Sequence, residues 1–439
     1  MGQISNTQFG TLFAGNQVIN DNNLAVSETH VFSPRLLNEF RFSYVRRNLQ
    51  FPENDPTTPS TAITGFFSIG GLANFPQGRI QNDYQFSDTA TLQQGRHAIK
   101  FGADIRRLQL FNLAAFDSKG TFQFSSLQDF LNNNALFFQQ ALQTATFDAH
   151  QTEQFYFAQD DIRVNQSLTL NLGLRYEYSS VPFGFFGATD PQSLAALVPG
   201  PVRPDKNNWA PGVGFAFSPH YKSGPLSKVF GDGKGVLRGG YRIAYDVLFF
   251  NLLTVDASNF PRVVVPRIDN ATDQFPNLAP VSGSAMFNPL ATYVNTPSDA
   301  KTPYSQLYSL SFQREVHGNY IIEVGYTGSR SINQVNQLQA NPGVLTAAQA
   351  ATVVATGNPN SIPTVQQRRV FPQFGSRVLI DTAAEATYNA GFISINRRLT
   401  RNLQFGVAYT YSKLLSNNDE SLGSRRDYRW FTAGATGLL

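Results

Sequence analysis

The sequence predicts an all-β protein, namely an antiparallel transmembrane β-barrel with long extracellular loops. It accounts for about 12 strands, so we expect an incomplete barrel, a part of a larger one. Three observations carry this prediction: strict alternation of apolar and polar residues, a composition low in charge and rich in aromatic residues, and short turns that alternate with long links. Each is typical of a wall with one face in lipid and one face in water.

The alternation is clearest at residues 168–178, which read LTLNLGLRYEY. Successive side chains of a strand point to opposite faces, so this segment has one apolar and one polar face. It is also as long as a membrane-spanning strand, which needs about 9–11 residues. The segment therefore fits a barrel wall better than the shorter strands of a soluble sheet, which run to about 5–6 residues.

The composition excludes several classes of protein. Charged residues make up 15 % and aromatic residues 13 % of the chain, against about 25 % charged in ordinary soluble domains. No apolar run is long enough for a transmembrane helix. Cysteine is absent, which excludes a disulfide scaffold, a thiolate nucleophile and a cysteine-ligated metal. The net charge is +4, but the basic residues are scattered, so no nucleic-acid partner is expected.

Six hairpins are predicted from paired alternating segments with turn residues between them. The pairs are 24–32 with 37–49, 84–92 with 97–107, 152–164 with 168–178, 209–218 with 236–247, 304–316 with 320–330, and 386–399 with 403–413. The links between hairpins are long, roughly 50–80, 111–151, 181–208, 248–303 and 331–385. Outer-membrane barrels have this asymmetry, with short periplasmic turns and long extracellular loops. We therefore expect the five links to form a cap over the mouth.

Charged residues in the predicted strands share the polar positions. A charge that faces lipid at mid-depth costs about 2–4 kcal/mol, so these residues are expected to face the lumen. They are Arg175, Glu177, Arg238, Arg242, Asp246, Glu315 and Glu323. Tyrosines stand toward strand ends, as expected at headgroup level: Tyr176, Tyr178, Tyr241, Tyr245, Tyr409 and Tyr411.

Several motifs together resemble the barrel of TonB-dependent outer-membrane receptors. Residues 155–164, FYFAQDDIRV, followed by 167–177, SLTLNLGLRYE, are similar to a barrel hairpin of that family, and 207–216 with 237–246 are similar to its next two strands. Residues 302–315, 323–330, 388–398 and 409–413 resemble the Oar-like subgroup. The resemblance covers most of the chain. It implies uptake of a bulky nutrient, an extracellular ligand of unknown identity, and coupling to the TonB system through a plug.

The chain also departs from that family. The resemblance implies a signal peptide, an energy-coupling segment, a plug domain and about 22 strands, and we identify none of the first three. We therefore interpret residues 1–439 as one partial barrel domain, a fragment whose export signal and plug lie elsewhere. Residues 419–439 carry no strand pattern and are expected to be a truncated or aberrant end.

The sequence contains no residue pattern that indicates an enzyme. We predict no catalytic, cofactor-binding or metal site, and the ligand-binding residues stay unknown. The histidines (His30, His97, His150, His220 and His317) are too far apart in sequence for a metal-ligand pattern. Asp160 and Asp161 fall on opposite faces of a strand and cannot act as a pair. Residues 417–420 are interpreted as a solvated strand end, 231–235 as a flexible turn, and 128–142 as a short helix that packs within the cap.

Three functions remain open from the sequence. The first is the barrel portion of a TonB-dependent receptor in the outer membrane of a Gram-negative cell, with lipid, the TonB system and an extracellular ligand as partners. The second is a passive porin-like or adhesive barrel. The third, disfavoured by strand length, is a soluble carbohydrate-binding β protein.

Overall fold

The computed structural model describes residues 2–4, 15–142, 145–181, 202–247, 263–276, 289–290, 292–317, 319–358, 361–400 and 402–417. Its strands are numbered in chain order: β1 Gly2–Ile4, β2 Gly15–Ser33, β3 Leu36–Phe51, β4 Ser60–Ile63, β5 Ser68–Ile69, β6 Gln77–Gln94, β7 His97–Ala114, β8 Thr121–Phe124, β9 Asn134–Gln139, β10 Ala145–Arg163, β11 Leu168–Ser179, β12 Trp209–Phe217, β13 Gly235–Tyr245, β14 Arg267–Thr272, β15 Tyr293–Asn295, β16 Tyr304–Val316, β17 Tyr320–Gln339, β18 Arg377–Thr400 and β19 Leu403–Ser416. The helices are α1 Leu127–Leu131, α2 Pro225–Phe230 and α3 Ala347–Thr356.

Twelve long strands form one antiparallel sheet, the wall. Their order is β2, β3, β6, β7, β10, β11, β12, β13, β16, β17, β18 and β19, so neighbours in sequence are neighbours in space. Within the described residues no hydrogen-bonded ladder joins β19 to β2. The six predicted hairpins and their twelve strands are confirmed, and the sheet is an incomplete barrel wall.

The register shows which side chains share a face across all twelve wall strands. Residues directly opposite each other on antiparallel strands share a face. Phe42 lies opposite Phe86, and Phe86 lies opposite Ile105; farther along, Leu172 lies opposite Val213, and Val213 lies opposite Tyr241. We call this side the apolar face and the other the polar face. Exposed apolar side chains cover the apolar face, as expected of a surface that faces lipid.

The links differ from the predictions in length and content. β17 continues to Gln339 and β18 begins at Arg377, so the last long link spans 340–376 rather than 331–385. Likewise β7 and β10 extend into the predicted link 111–151. These extensions lack clean alternation because loops, rather than lipid, cover part of their surface. Parts of the links 181–208 and 248–303, and residues 418–439, lie outside the described residues.

A second, five-stranded sheet stands at the long-link end of the wall, in the order β14, β9, β8, β4, β5. Its strands come from three different links, residues 52–76, 115–144 and 246–303. The expected helix within 128–142 is wrong in extent: α1 ends at Leu131, and β9 follows. Asn133 adopts a left-handed backbone (φ 53°) that ends the helical turn. Among the described residues, no helix has the length and apolar character needed to cross a membrane.

Candidate functional site

The polar face carries a network of paired charges near the long-link end. Arg106 lies 3.3 Å from an oxygen of Asp104 and 3.8 Å from one of Glu153, both measured from guanidinium nitrogens. Gln85 donates to the other oxygen of Asp104 at 2.5 Å. Arg106 and Glu153 are directly opposite on β7 and β10, so the sheet register itself positions this network.

A second pair continues the network on the neighbouring strand. Arg175 lies 2.9 Å from Glu177 on β11. Glu177 and Glu153 are each only 5 % exposed, and they lie at diagonal positions, because Glu153 is opposite Ser179. Two nearly buried carboxylates, each beside an arginine, therefore stand on one patch of the polar face. Such groups favour hydrogen-bond donors and cations in whatever lies against them.

Six of the seven charged residues predicted to face the lumen lie in wall strands and share the polar face, whereas Asp246 follows the end of β13. Arg238 donates to Gln313 at 2.6 Å, and Gln313 lies opposite Glu323. Glu315 lies 3.6 Å from Arg398. Arg242 and Arg238 alternate along β13 with the apolar-face residues. The sequence argument missed Asp83 and Glu153, which occupy the same face, although their alternation with Phe86 and Tyr156 could have identified them.

Small residues line the polar face between these charges. Asn171, Gly214, Gly240, Ser309 and Thr327 lie in one row across β11, β12, β13, β16 and β17. Large side chains in this row would fill the space beside the wall. The row therefore leaves a shallow depression in which another surface can approach the sheet backbone.

The second sheet and its helix α1 form the core of the loop cap. Six buried residues make up its apolar cluster: Ile63, Phe122, Phe124, Ala135, Phe138 and Ala271. Phe122 stacks on Phe138 with ring centroids 4.4 Å apart. Asn133 ties two links together, since its side chain donates to the Phe275 carbonyl at 2.7 Å. The expectation that 128–142 packs within the cap is confirmed for Phe138, which is 1 % exposed.

Polar groups also stabilise the cap. Lys119 and Glu53, from two different links, form an ion pair with both side chains nearly buried. Burial raises the pKa of the Asp117 carboxyl above its ordinary value, against the lowering effect of hydrogen bonds from Thr121 and Gln139. These contacts join residues 52–76 to 115–144, so the cap is one packed unit rather than independent loops.

The link 340–376 folds around two buried polar side chains. Asn341 donates to the carbonyls of Phe371, Phe374 and Gly375 at 2.9–3.1 Å. Arg377, 1 % exposed, lies 4.6 Å from the ring of Tyr293 and donates to the Pro289 carbonyl. Burial, and secondarily the charge of Arg377, lower the pKa of Arg369. Asn341 and Arg377 are both too buried to touch a ligand directly. Their hydrogen bonds instead hold the link in one conformation beside the mouth.

Aromatic residues ring the apolar face at its long-link end. Tyr176 packs on Trp209 with centroids 4.8 Å apart, and Tyr245 packs on Tyr304 at 5.5 Å. These four residues lie in one row on the adjacent strands β11, β12, β13 and β16. Tyr44 and Tyr84 form a similar pair at 5.0 Å. Tyr176 and Tyr245 thus lie in one row with Trp209, and their placement at a membrane interface stays a prediction.

The other motifs lie apart from this network. Asp160 contacts His97 at 2.6 Å on the apolar face, whereas Asp161 accepts from Asn171 on the polar face, so their opposite facing is confirmed. Asp232 of the 231–235 turn contacts His220. In the ranges that the structure describes, no group of three His, Cys, Asp or Glu could hold a metal. Of 417–420, only Asn417 lies in a described range, and it accepts from the Glu385 backbone.

Comparison with solved structures shows the same fold at low identity. The outer membrane transporter YddB from Escherichia coli superposes with a TM-score of 0.58 and 10 % identity, over 92 % of this chain and 43 % of that one. The FrpB iron transporter from Neisseria meningitidis gives 0.51 and 11 %, over 94 % and 46 %. The chain thus spans less than half the length of these transporters. A comparison with curated protein sequences finds no match.

A family model described as "outer membrane beta barrel domain" matches residues 2–433. The match includes all twelve wall strands and the links that build the cap. It agrees with the lipid-facing apolar surface and the polar inner surface that the register defines. The chain therefore belongs to the family of outer-membrane β-barrel domains, and its place is the Gram-negative outer membrane.

Proposed function

We propose that this chain forms part of the wall and of the extracellular cap of a TonB-dependent receptor that takes up a bulky nutrient. The observation that carries the proposal is the polar face with its nearly buried, arginine-paired carboxylates Glu153 and Glu177. The arginines beside these carboxylates are about half exposed, so the patch presents hydrogen-bond donors to whatever lies against the wall. A folded domain seated against the wall would use it, because buried charges favour partners that supply hydrogen bonds.

In this proposal residues 1–439 are one partial barrel domain. Further strands complete the wall, since an open sheet edge in lipid leaves backbone groups without partners. A plug rests against the depression of small residues and against the Arg106 and Arg175 network. The cap captures the ligand, and energy delivered through TonB moves the plug. The chain itself supplies surfaces for binding and no catalytic step.

The proposal is tested on the complete protein that carries this chain. The first measurement reads the coding sequence on both sides of the 439 codons. The second places the purified complete protein in a planar lipid bilayer and records its conductance. A plugged receptor has low conductance that rises only when denaturant unfolds the plug and spares the barrel.

A steady open conductance without denaturant, together with no plug-coding sequence upstream, would overturn the receptor proposal in favour of a porin-like barrel. A low conductance with an upstream plug supports it. Release of the protein from membranes by alkaline washing would contradict both barrel functions and would favour a soluble β protein. Glu153→Gln in the plugged protein is expected to raise the resting conductance, because it weakens the surface against which the plug rests.

A further inference from the structure

A basic patch lies on the apolar face at the long-link end of the wall. It consists of Arg46 on β3, Asn82 on β6, Arg107 on β7, and His150 and Thr152 on β10. Arg46 lies directly opposite Asn82, Asn82 opposite Gln109, and Gln109 opposite His150. All of these residues therefore share the face that carries Phe42, Phe86 and Ile105. They point toward lipid and away from the lumen.

The row of aromatic residues at the long-link end indicates the depth of the basic patch. Tyr44 lies opposite Tyr84, and Tyr84 lies opposite Arg107. Arg107 therefore occupies the same row as two tyrosines whose ring centroids are 5.0 Å apart. Tyrosine rings in such rows sit at the level of the lipid headgroups. The long links mark this end as extracellular, so the headgroups are those of the outer leaflet.

The arginines of the basic patch are held by partners that carry no negative charge. Arg46 donates to the Asn82 amide oxygen at 2.9 Å, and Tyr44 donates to the same oxygen at 3.0 Å. Arg107 donates to Thr152 at 2.7 Å and lies 3.2 Å from the Nδ1 atom of His150. Oriented guanidinium groups with further N–H donors suit a phosphate, which they bind in a bidentate manner.

Neither arginine has a carboxylate within ion-pair distance in the described part of the chain. This contrasts with Arg47, next in sequence to Arg46, which faces the lumen and lies 2.9 Å from Asp21. On the apolar face, the first acidic residue toward the loops is Asp148, opposite Phe111. It lies four residues along β10 from Thr152, about 13 Å away. The patch thus keeps a positive charge, uncompensated within the described residues, in the row of Tyr44 and Tyr84.

We propose that the basic patch binds the phosphorylated headgroup of an outer-leaflet glycolipid. Arg46 and Arg107 stand on strands two apart, a lateral separation of about 10 Å, so they contact one headgroup from two sides. The side chain of Asn82 lies between them on β6, while Gln109 and Thr152 flank Arg107, and these three polar side chains match the hydroxyl groups of a sugar. The acyl chains of the same lipid then pack along Phe42, Phe86 and Ile105 below the patch.

The test uses the complete protein purified in mild detergent after expression in an outer membrane. Retained phosphorylated glycolipid is measured as lipid phosphorus per protein and by native mass spectrometry. The test variant is Arg46→Gln with Arg107→Gln, and the matched control is Arg47→Gln, on the same strand but the opposite face. Heat-dependent migration in gels verifies that each barrel is folded.

We expect the double variant to lose about tenfold or more in lipid retention and the control to retain lipid like the wild type. Equal retention by the double variant and the wild type would overturn the proposal. If the double variant does not fold, the binding of the glycolipid to wild-type protein in phosphatidylethanolamine vesicles is measured instead. Preference for the phosphorylated glycolipid over its dephosphorylated form supports the proposal, and equal binding of both overturns it.

A final arm separates the lipid from a free anion. Inorganic phosphate is added to wild-type protein that holds the glycolipid. Because the acyl chains contribute to binding, phosphate alone should not displace the lipid. Displacement by phosphate would show a simple anion site and would overturn the assignment to a lipid. None of these measurements depends on transport, so their outcome is independent of the proposed receptor function.

Discussion

Lys119 and Glu53 form an ion pair inside the cap, with side chains only 7 % and 4 % exposed. The two residues come from different links, and both lie against Gly71, where an added Cβ would overlap them. The pair therefore joins two loops at a point where no other side chain fits. It is the clearest single contact that makes the cap one unit.

Removing one partner of this pair should loosen the cap. Lys119→Ala leaves the Glu53 carboxylate buried without its cation, at an expected cost of about 3–5 kcal/mol. Hydrogen exchange of β4 and β8 measures the effect, and faster exchange is expected in both strands. Lys119→Met combined with Glu53→Leu is the control, because an apolar pair of similar volume removes the uncompensated charge. Unchanged exchange in the single variant would contradict this role.

The assignment of faces predicts that arginine at two adjacent residues impairs membrane assembly to different extents. Leu172 lies midway along β11 on the apolar face and is 44 % exposed. Leu172→Arg places a charge in lipid, at a cost of about 2–4 kcal/mol, and should reduce the amount of folded protein in the outer membrane. Asn171→Arg faces water and loses the hydrogen bond to Asp161, a smaller cost of about 1 kcal/mol. Equal assembly of the two variants would show that the faces are wrongly assigned.

Gly325 on β17 is predicted to be intolerant of any side chain. A Cβ there would overlap the ring of Phe392 on β18 and approach Ser311 on β16. Gly325→Ala should therefore destabilise the wall by about 1–3 kcal/mol, measured as a lower temperature for the loss of the heat-resistant folded form. Gly391→Ala on β18 is the control, since an added Cβ there meets nothing within 4 Å. Similar melting of both variants would refute the crowding at Gly325.

The buried carboxyl of Asp117 should make the stability of the cap depend on pH. Because burial raises its pKa in the folded state, the folded cap holds the proton more tightly than the unfolded chain. The cap is therefore most stable below the unfolded pKa, about 4, and loses stability as pH rises from there through the raised, folded pKa. Protease resistance of the cap measured across this range should fall. In Asp117→Asn the fall should disappear, because the neutral amide has no proton to lose; an unchanged pH profile would exclude Asp117 as the cause.

Much of the wall was predictable because a strand in a membrane is constrained locally. Alternation in Leu168–Ser179 or His97–Ala114 follows from one lipid face and one water face, which act on each residue independently of distant contacts. The same constraint located the turns and placed Arg175 and Glu177 on the polar face. The lumen residues Asp104 and Glu153 obeyed the same rule and were recoverable from it.

The cap was less predictable because its strands pair across links far apart in sequence. β9 pairs with β14 through Phe138 and Ile268, and nothing near either residue identifies the other. The short segment around Phe137 and Phe138 carried too few residues to distinguish a helix from a strand. Only the tertiary contacts of Phe122, Phe138 and Phe275 settled its conformation.

The sequence by itself determined the twelve wall strands of this protein, their order, and which of their residues face lipid, because the surroundings on each side of the sheet impose a pattern of period two. The tertiary structure alone decided which charges meet, as in Arg106 with Glu153, and which stay without an acid, as in Arg46 and Arg107. It also decided how three links fold into one cap. These relationships depend on register between strands and on packing between distant loops, and neither leaves a local signature in the chain.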